Sequence, residues 1–174
     1  RRAVTQGLKA VIINPANMIG PYDTVNWSRM FRLVQQGRLP ALPPGGGSFA
    51  HVREVARAMV TAAEKGRVGQ NYLLGGAQAS YLGLAQEMVK LLGLSRRYRA
   101  APARILDAYA RVEEWVAPLF GREPDVTRDA VALLSENFYC SSKRAQNELG
   151  YEPKTLDVML KDCRDWMRSE GLLS

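Results

Sequence analysis

His51 is the single histidine of the chain, and Cys140 and Cys163 are its two cysteines. A Ser-His-Asp or Cys-His nucleophilic site would have to be built on His51. A multi-histidine metal centre cannot form, and two cysteines are too few for a four-ligand zinc site or a disulfide framework. Three other stretches carry groups suited to ligands. Residues 14–20 (NPANMIG) follow an apolar, β-branched run at residues 9–14 (KAVIIN). In open α/β sheets, ligands enter at the carboxyl ends of the strands. Pro15 lacks an N–H and has a fixed φ, so it is expected to end the pairing and leave the next N–H groups for a ligand. Residues 43–47 (PPGGG) have the glycine content of a phosphate loop but lack its Gly-Lys-Ser/Thr ending, and read as a flexible turn. Arg96, Arg97, Arg99 and Arg104 form a basic cluster. Guanidinium forks suit diphosphates, and the same charges suit acidic lipid headgroups or plain water.

These groups need a scaffold, and 174 residues are enough for one domain with a real core. The composition, 47% hydrophobic and 24% charged, is that of a globular protein. Lys plus Arg exceeds Asp plus Glu by 24 to 17, a formal charge of +7. No nucleic-acid motif accompanies that charge, so no nucleic-acid partner is expected. Apolar runs such as residues 10–13 are too short to span a membrane, and no basic-then-apolar leader opens the chain. A reducing, cytoplasmic setting is the expectation.

The periodicity predicts a helix tail at residues 1–6, closed by Gly7, and a strand at residues 9–14 buried on both faces. Residues 17–23 and 39–48 read as loops. Helices are predicted at 27–36, 54–65, 80–92, 102–120, 127–135, 142–149 and 155–171. In the first, Trp27, Met30, Phe31 and Val34 share a face. In the fourth, Ile105, Leu106, Tyr109, Val112, Val116 and Leu119 are expected inward. Ser80, Thr127, Ser142 and Thr155 stand as N-caps. Short strands are predicted at 49–52, 70–74 and 138–140. The 49–52 and 138–140 segments are each followed by a helix, which predicts that they pair in parallel. Residues 9–14 and 70–74 should belong to a main sheet. Two such strands do not complete a sheet, so the chain reads as part of a longer protein.

Four segments carry a resemblance. Residues 7–23 (GLKAVIINPANMIGPYD), 49–56 (FAHVREVA), 72–76 (YLLGG) and 142–153 (SKRAQNELGYEP) occur in the order and spacing of the extended short-chain dehydrogenases/reductases. These are the NAD-dependent epimerase/dehydratase family. Residues 122–124 (REP) with Val126 and Thr127 are similar to its dihydroflavonol 4-reductase-like and 3β-hydroxysteroid dehydrogenase-like branch. Arg53 departs from the pattern, since the family commonly has aspartate there.

The resemblance implies an α/β fold: the C-terminal part of a Rossmann-type NAD(P)-binding fold with a mostly helical substrate-binding lobe. Residues 1–76 would hold the last Rossmann strands and an interleaved lobe segment, and residues 77–174 the helical lobe. The N-terminal dinucleotide-binding half, its glycine-rich loop and the catalytic Tyr-x-x-x-Lys are expected upstream, so no catalytic residue is expected in this chain. Pro15, Ala16, Asn17 and Met18 would sit beside the nicotinamide of NAD or NADP. Asn17, Trp27, Met30 and Phe31 would touch a small-molecule substrate, and no metal is implied. His51 would then be a structural residue at a strand–helix join. The implied reaction is hydride transfer between nicotinamide and an apolar alcohol or ketone. A nucleotide-sugar epimerase or dehydratase, and a non-catalytic NAD(P)-binding sensor, are the alternatives, and homo-oligomerisation stays open.

Overall fold

The computed structural model describes residues 2–39, 41–121, 124 and 127–173. Arg122, Glu123 and Val126 of the branch motif lie outside the described residues. The chain divides into two compact units, Arg1–Arg29, Ser48–Gln78 and Tyr139–Ser174 in one, Met30–Gly47 and Ala79–Phe138 in the other. The expected boundary at residue 76 falls near one of the crossings, but each unit is assembled from separate stretches of chain.

In the first unit, α1 (Arg2–Thr5) is followed by β1 (Ile12–Pro15) and β2 (Asn17–Ile19). β1 pairs in parallel with β4 (Asn71–Leu74), Ile12 opposite Asn71 and Pro15 opposite Leu74. α3 (Val52–Lys65) supplies Val55, Ala58 and Ala62, and α7 (Lys143–Leu149) supplies Ala145 and Leu149. They pack with Tyr72, Leu74 and Tyr151 into one core against which Ile13 is partly buried. The other face of β1 and β4 is open, with Ile12 47% and Leu73 42% exposed. The two-faced burial predicted for residues 9–14 is therefore corrected. Within this chain, helices cover the pair on one side, so the strand alternates. α8 (Leu156–Ser169) buries Met159, Leu160, Cys163 and Met167.

β2 pairs in parallel with the second part of β3 (Gly46–His51), Asn17 opposite Phe49 and Ile19 opposite His51. β2 was expected as loop. Its apolar signal is short, because Gly20 and Pro21 follow three residues later.

The second unit holds most of α2 (Trp27–Gln36), α4 (Tyr81–Leu91), α5 (Ala103–Val116), a 3₁₀ turn (Ala117–Phe120), α6 (Arg128–Ser135) and β6 (Asn137–Phe138). β5 (Ala77–Ser80), absent from the sequence expectation, runs across the boundary between the units. Ser80 and Thr127 cap as predicted, their hydroxyls accepting from the Gly83 and Ala130 N–H groups. Ser142 and Thr155 occupy cap positions without a side-chain cap bond, and Ser142 Oγ instead accepts from Gln146 Nε2.

The parallel pairing of the 49–52 and 138–140 segments is present but displaced upstream: Gly46 stands opposite Asn137 and Gly47 opposite Phe138. The glycines of residues 45–47 are thus not a flexible turn. A Cβ on Gly45 would strike the carbonyl oxygens of Glu136 and Leu134. Backbone approach that close admits only glycine.

The predicted inward stripe of α5 is also corrected. Ile105, Tyr109, Val112 and Leu119 are exposed, while Ala110 and Ala117 are wholly buried. The polar side of α5 is occupied by α6: Arg128 donates from Nε to Asp107 at 2.9 Å and from its N–H to Glu114 at 2.8 Å. The Arg128 hydrogen bond, ahead of the Arg111 and Arg128 charges, holds the Asp107 carboxyl below its ordinary range. Among the described residues no helix is long and apolar enough to cross a membrane. No group of three or more His, Cys, Asp or Glu that could hold a metal occurs among them either.

Candidate functional site

The site is built where β1 hands over to β2 and β2 to α2. Pro15 ends β1 as expected, standing opposite Leu74 in the last pair of the ladder, but it does not leave the next N–H free. The Ala16 N–H, expected to be free for a ligand, donates to the Leu74 carbonyl at 3.1 Å. The Asn17 Nδ2 donates to the Ser48 carbonyl at 3.2 Å. A proline lacks only its own donor, so the following residue can still supply the bond that closes a parallel ladder. Pro15, Asn17 and Met18 remain exposed and Ala16 half-buried.

Past β2 the chain turns sharply. Tyr22 sits at φ +70°, in the left-handed region that a non-glycine residue enters at a cost of roughly 1 kcal/mol. Its ring lies 5.5 Å from Trp166 of α8, centroid to centroid. Asp23 then accepts four backbone N–H groups. Its Oδ1 takes Val25 at 3.1 Å and Asn26 at 2.8 Å. Its Oδ2 takes Trp27 at 2.7 Å and Ser28 at 3.1 Å. A carboxylate there satisfies two orphan donors of α2, those of Trp27 and Ser28, and complements its dipole. Sequence reasoning passed over Asp23. An aspartate four residues ahead of the first apolar helical position was the available signal.

These residues frame a cleft of about 240 Å³, lined by Met18, Gly20, Pro21, Tyr22, Asp23, Thr24, Val25, Asn26 and Val52. No lysine or arginine is among them. Cys163 of α8 is buried, and that burial, with the Asp23 charge second, pushes its thiol up to about 12.

The expected substrate residues separate. Trp27 is half-buried and meets the Phe49 ring edge-on at 5.2 Å. Met30 and Phe31 belong to the second unit and are 8% and 0% exposed. In this chain both are packing residues.

His51 is the join of β3 and α3. Its Nδ1 accepts the Arg53 N–H at 3.1 Å, so the proton sits on Nε2, which donates to Asp162 Oδ2 at 3.1 Å. Arg53, the departure from the family pattern, reaches the same carboxylate oxygen at 3.9 Å. Both ring nitrogens are occupied, which leaves His51 no free base. His51→Ala should lose about 1–2 kcal/mol in urea unfolding, through the cap and the tie to α8. A loss below a few tenths would refute this role. Of the basic cluster, Arg96 is committed, its Nη1 donating to the Val34 and Gln35 carbonyls at the end of α2.

Residues 2–75 match the model of the NAD dependent epimerase/dehydratase family. A Synechocystis sp. protein named after dihydroflavonol 4-reductase is 29% identical, over 97% of this chain and 51% of its own length. Sterol demethylase protein B of Methylococcus capsulatus is 28% identical, over 97% and 52%. The crystal structure of gox2253 superposes with a TM-score of 0.79 at 31% identity, covering 97% of this chain and 52% of that one. The chain thus spans about half the length of the relatives it matches, and it shares their Rossmann-like α/β fold.

Proposed function

Since residues 2–75 match the NAD dependent epimerase/dehydratase family model, we propose that the chain is a member of that family and the substrate-side part of an NAD(P)-dependent oxidoreductase acting on an apolar alcohol or ketone. The observation that carries this reading is the cleft beside the open end of β1. Its lining is largely apolar, its one carboxylate is saturated by backbone amides, and it holds no cation. A diphosphate-bearing substrate would find no guanidinium there. Relatives whose names refer to a dihydroflavonol reductase and a sterol demethylase agree with an apolar substrate.

The fit to a nicotinamide is one of shape. With the Ala16 N–H and Asn17 Nδ2 already engaged, the group would be held by packing against exposed Pro15 and Met18 and half-buried Ala16 rather than by free amides. The dinucleotide, when bound, supplies or takes the hydride. Residues of this chain would exclude water from the transfer and orient the substrate, with the Asn17 side chain facing it. The proton-handling groups would come from outside this chain, so residues 1–174 alone should show no hydride transfer.

The test is steady-state kinetics on the full-length enzyme. Ala16→Trp should cut turnover at least about a hundredfold, because hydride transfer needs close approach of two carbons. Its thermal midpoint should stay near that of the parent. Wild-type turnover in a folded Ala16→Trp enzyme would end the assignment of this segment to the active site.

A further inference from the structure

α5 carries its hydrophobic stripe outward. Ile105, Tyr109 and Val112 lie on one face and are 61%, 51% and 61% exposed. Trp115 is 83% exposed beside them, and the 3₁₀ turn adds Leu119 at 80% and Phe120 at 76%. An exposed apolar surface of this extent marks an interaction site.

Charge identifies the partner. The acids of α5 are engaged away from the stripe or at its edge: Asp107 by Arg128 and Arg111, Glu114 by the Arg128 N–H, Glu113 by the Tyr109 hydroxyl at 3.4 Å. At the amino end of the helix, Arg97, Arg99 and Arg104 are exposed and form no ion pair with another described residue. Unpaired guanidinium groups beside an outward apolar stripe, with a tryptophan at its border, are the signature of a helix lying in a membrane interface. A second copy of this chain would bring the same positive charges together, whereas an anionic bilayer neutralises them.

We propose that the face of α5 and its 3₁₀ turn docks on an anionic phospholipid surface. The apolar side chains enter the headgroup–acyl boundary, and Arg97, Arg99 and Arg104 meet lipid phosphates. This does not depend on the hydride-transfer reading.

The test is co-sedimentation of the full-length protein with vesicles of phosphatidylcholine, alone or mixed with phosphatidylglycerol. Binding should be at least about tenfold tighter to the mixed vesicles and should weaken with added salt. Leu119→Glu with Phe120→Glu should reduce it at least about tenfold without moving the thermal midpoint, since both side chains are solvent-exposed. Arg97→Gln, Arg99→Gln and Arg104→Gln together should remove the preference for the anionic lipid. Trp115 emission should shift to the blue on binding, read against a Trp115→Phe variant. Absence of binding to mixed vesicles, or binding that ignores the Glu pair, would overturn the proposal. So would a Glu pair that turns a dimer into a monomer while vesicle binding is unchanged.

Discussion

Gly46→Val should destabilise the protein by about 3 kcal/mol or more, the largest effect expected of any single change described. Gly46 is buried within β3. A Cβ built on it lies 2.5 Å from the Ala79 carbonyl oxygen and 2.8 Å from the Ser80 Cα. Both are backbone atoms, and backbone cannot rotate aside as a side chain does. The Gly46 N–H also donates to the Glu136 carbonyl at 3.2 Å, so displacing the strand sacrifices its pairing with β6 as well. Gly93→Ala is the control. Gly93 has φ +67° and nothing within 4 Å of a built Cβ, so alanine there meets backbone strain alone, about 1 kcal/mol. Urea unfolding of both variants checks the contrast. Equal losses would show that the approach of β3 to the residues 79–80 backbone does not constrain the fold.

Asp23→Ala should lose about 2 kcal/mol and deform the cleft. One carboxylate gathers the N–H groups of residues 25–28. Alanine leaves all four to water and removes the charge that complements α2. The restraint that holds Tyr22 at φ +70° goes with it, and the turn is expected to relax. In the full-length enzyme, KM for substrate should rise about tenfold or more, with a smaller change in dinucleotide affinity. Asp23→Asn keeps one acceptor oxygen and should recover roughly half of the stability loss. Unchanged KM in the alanine variant would remove this cleft from substrate binding.

The helices were legible because their signals are local. Ser80 and Thr127 cap where their types said they would, and the 27–36 periodicity buries Met30, Phe31 and Val34. What failed depended on partners distant in sequence. β2 and β5 have three and four residues, too short for periodicity to register. Gly45 and Gly46 look like a turn until the backbones of residues 134–136 and 79–80 are seen against them. Pro15 does end its strand, but the N–H after it is not freed, because the Leu74 carbonyl takes it. α5 misled most instructively. Its apolar stripe was read as core, whereas its wholly buried residue is Ala110 and its Asp107 and Glu114 meet Arg128 of α6. The loop after β1 was expected to offer free donors, but its Ala16 N–H and Asn17 Nδ2 are taken by the Leu74 and Ser48 carbonyls, which only the fold reveals.

The division of the chain into interleaved stretches bears on how it is made. The polypeptide passes between the units at residues 29–30, 47–48, 78–79 and 138–139. Translation delivers residues in order, at about 5–20 per second. His51 therefore emerges roughly 5–20 s before Asp162, its partner 111 positions later. For that interval the nascent α3 has its cap but not its tie, and Val55, Ala58 and Ala62 await Ala145 and Leu149. The first unit cannot close until α8 has left the ribosome. A premature stop before α8 would yield a product that keeps the β1–β4 pair and lacks the helix that anchors His51 and stacks on Tyr22. Such a product is a natural client for chaperones and proteases.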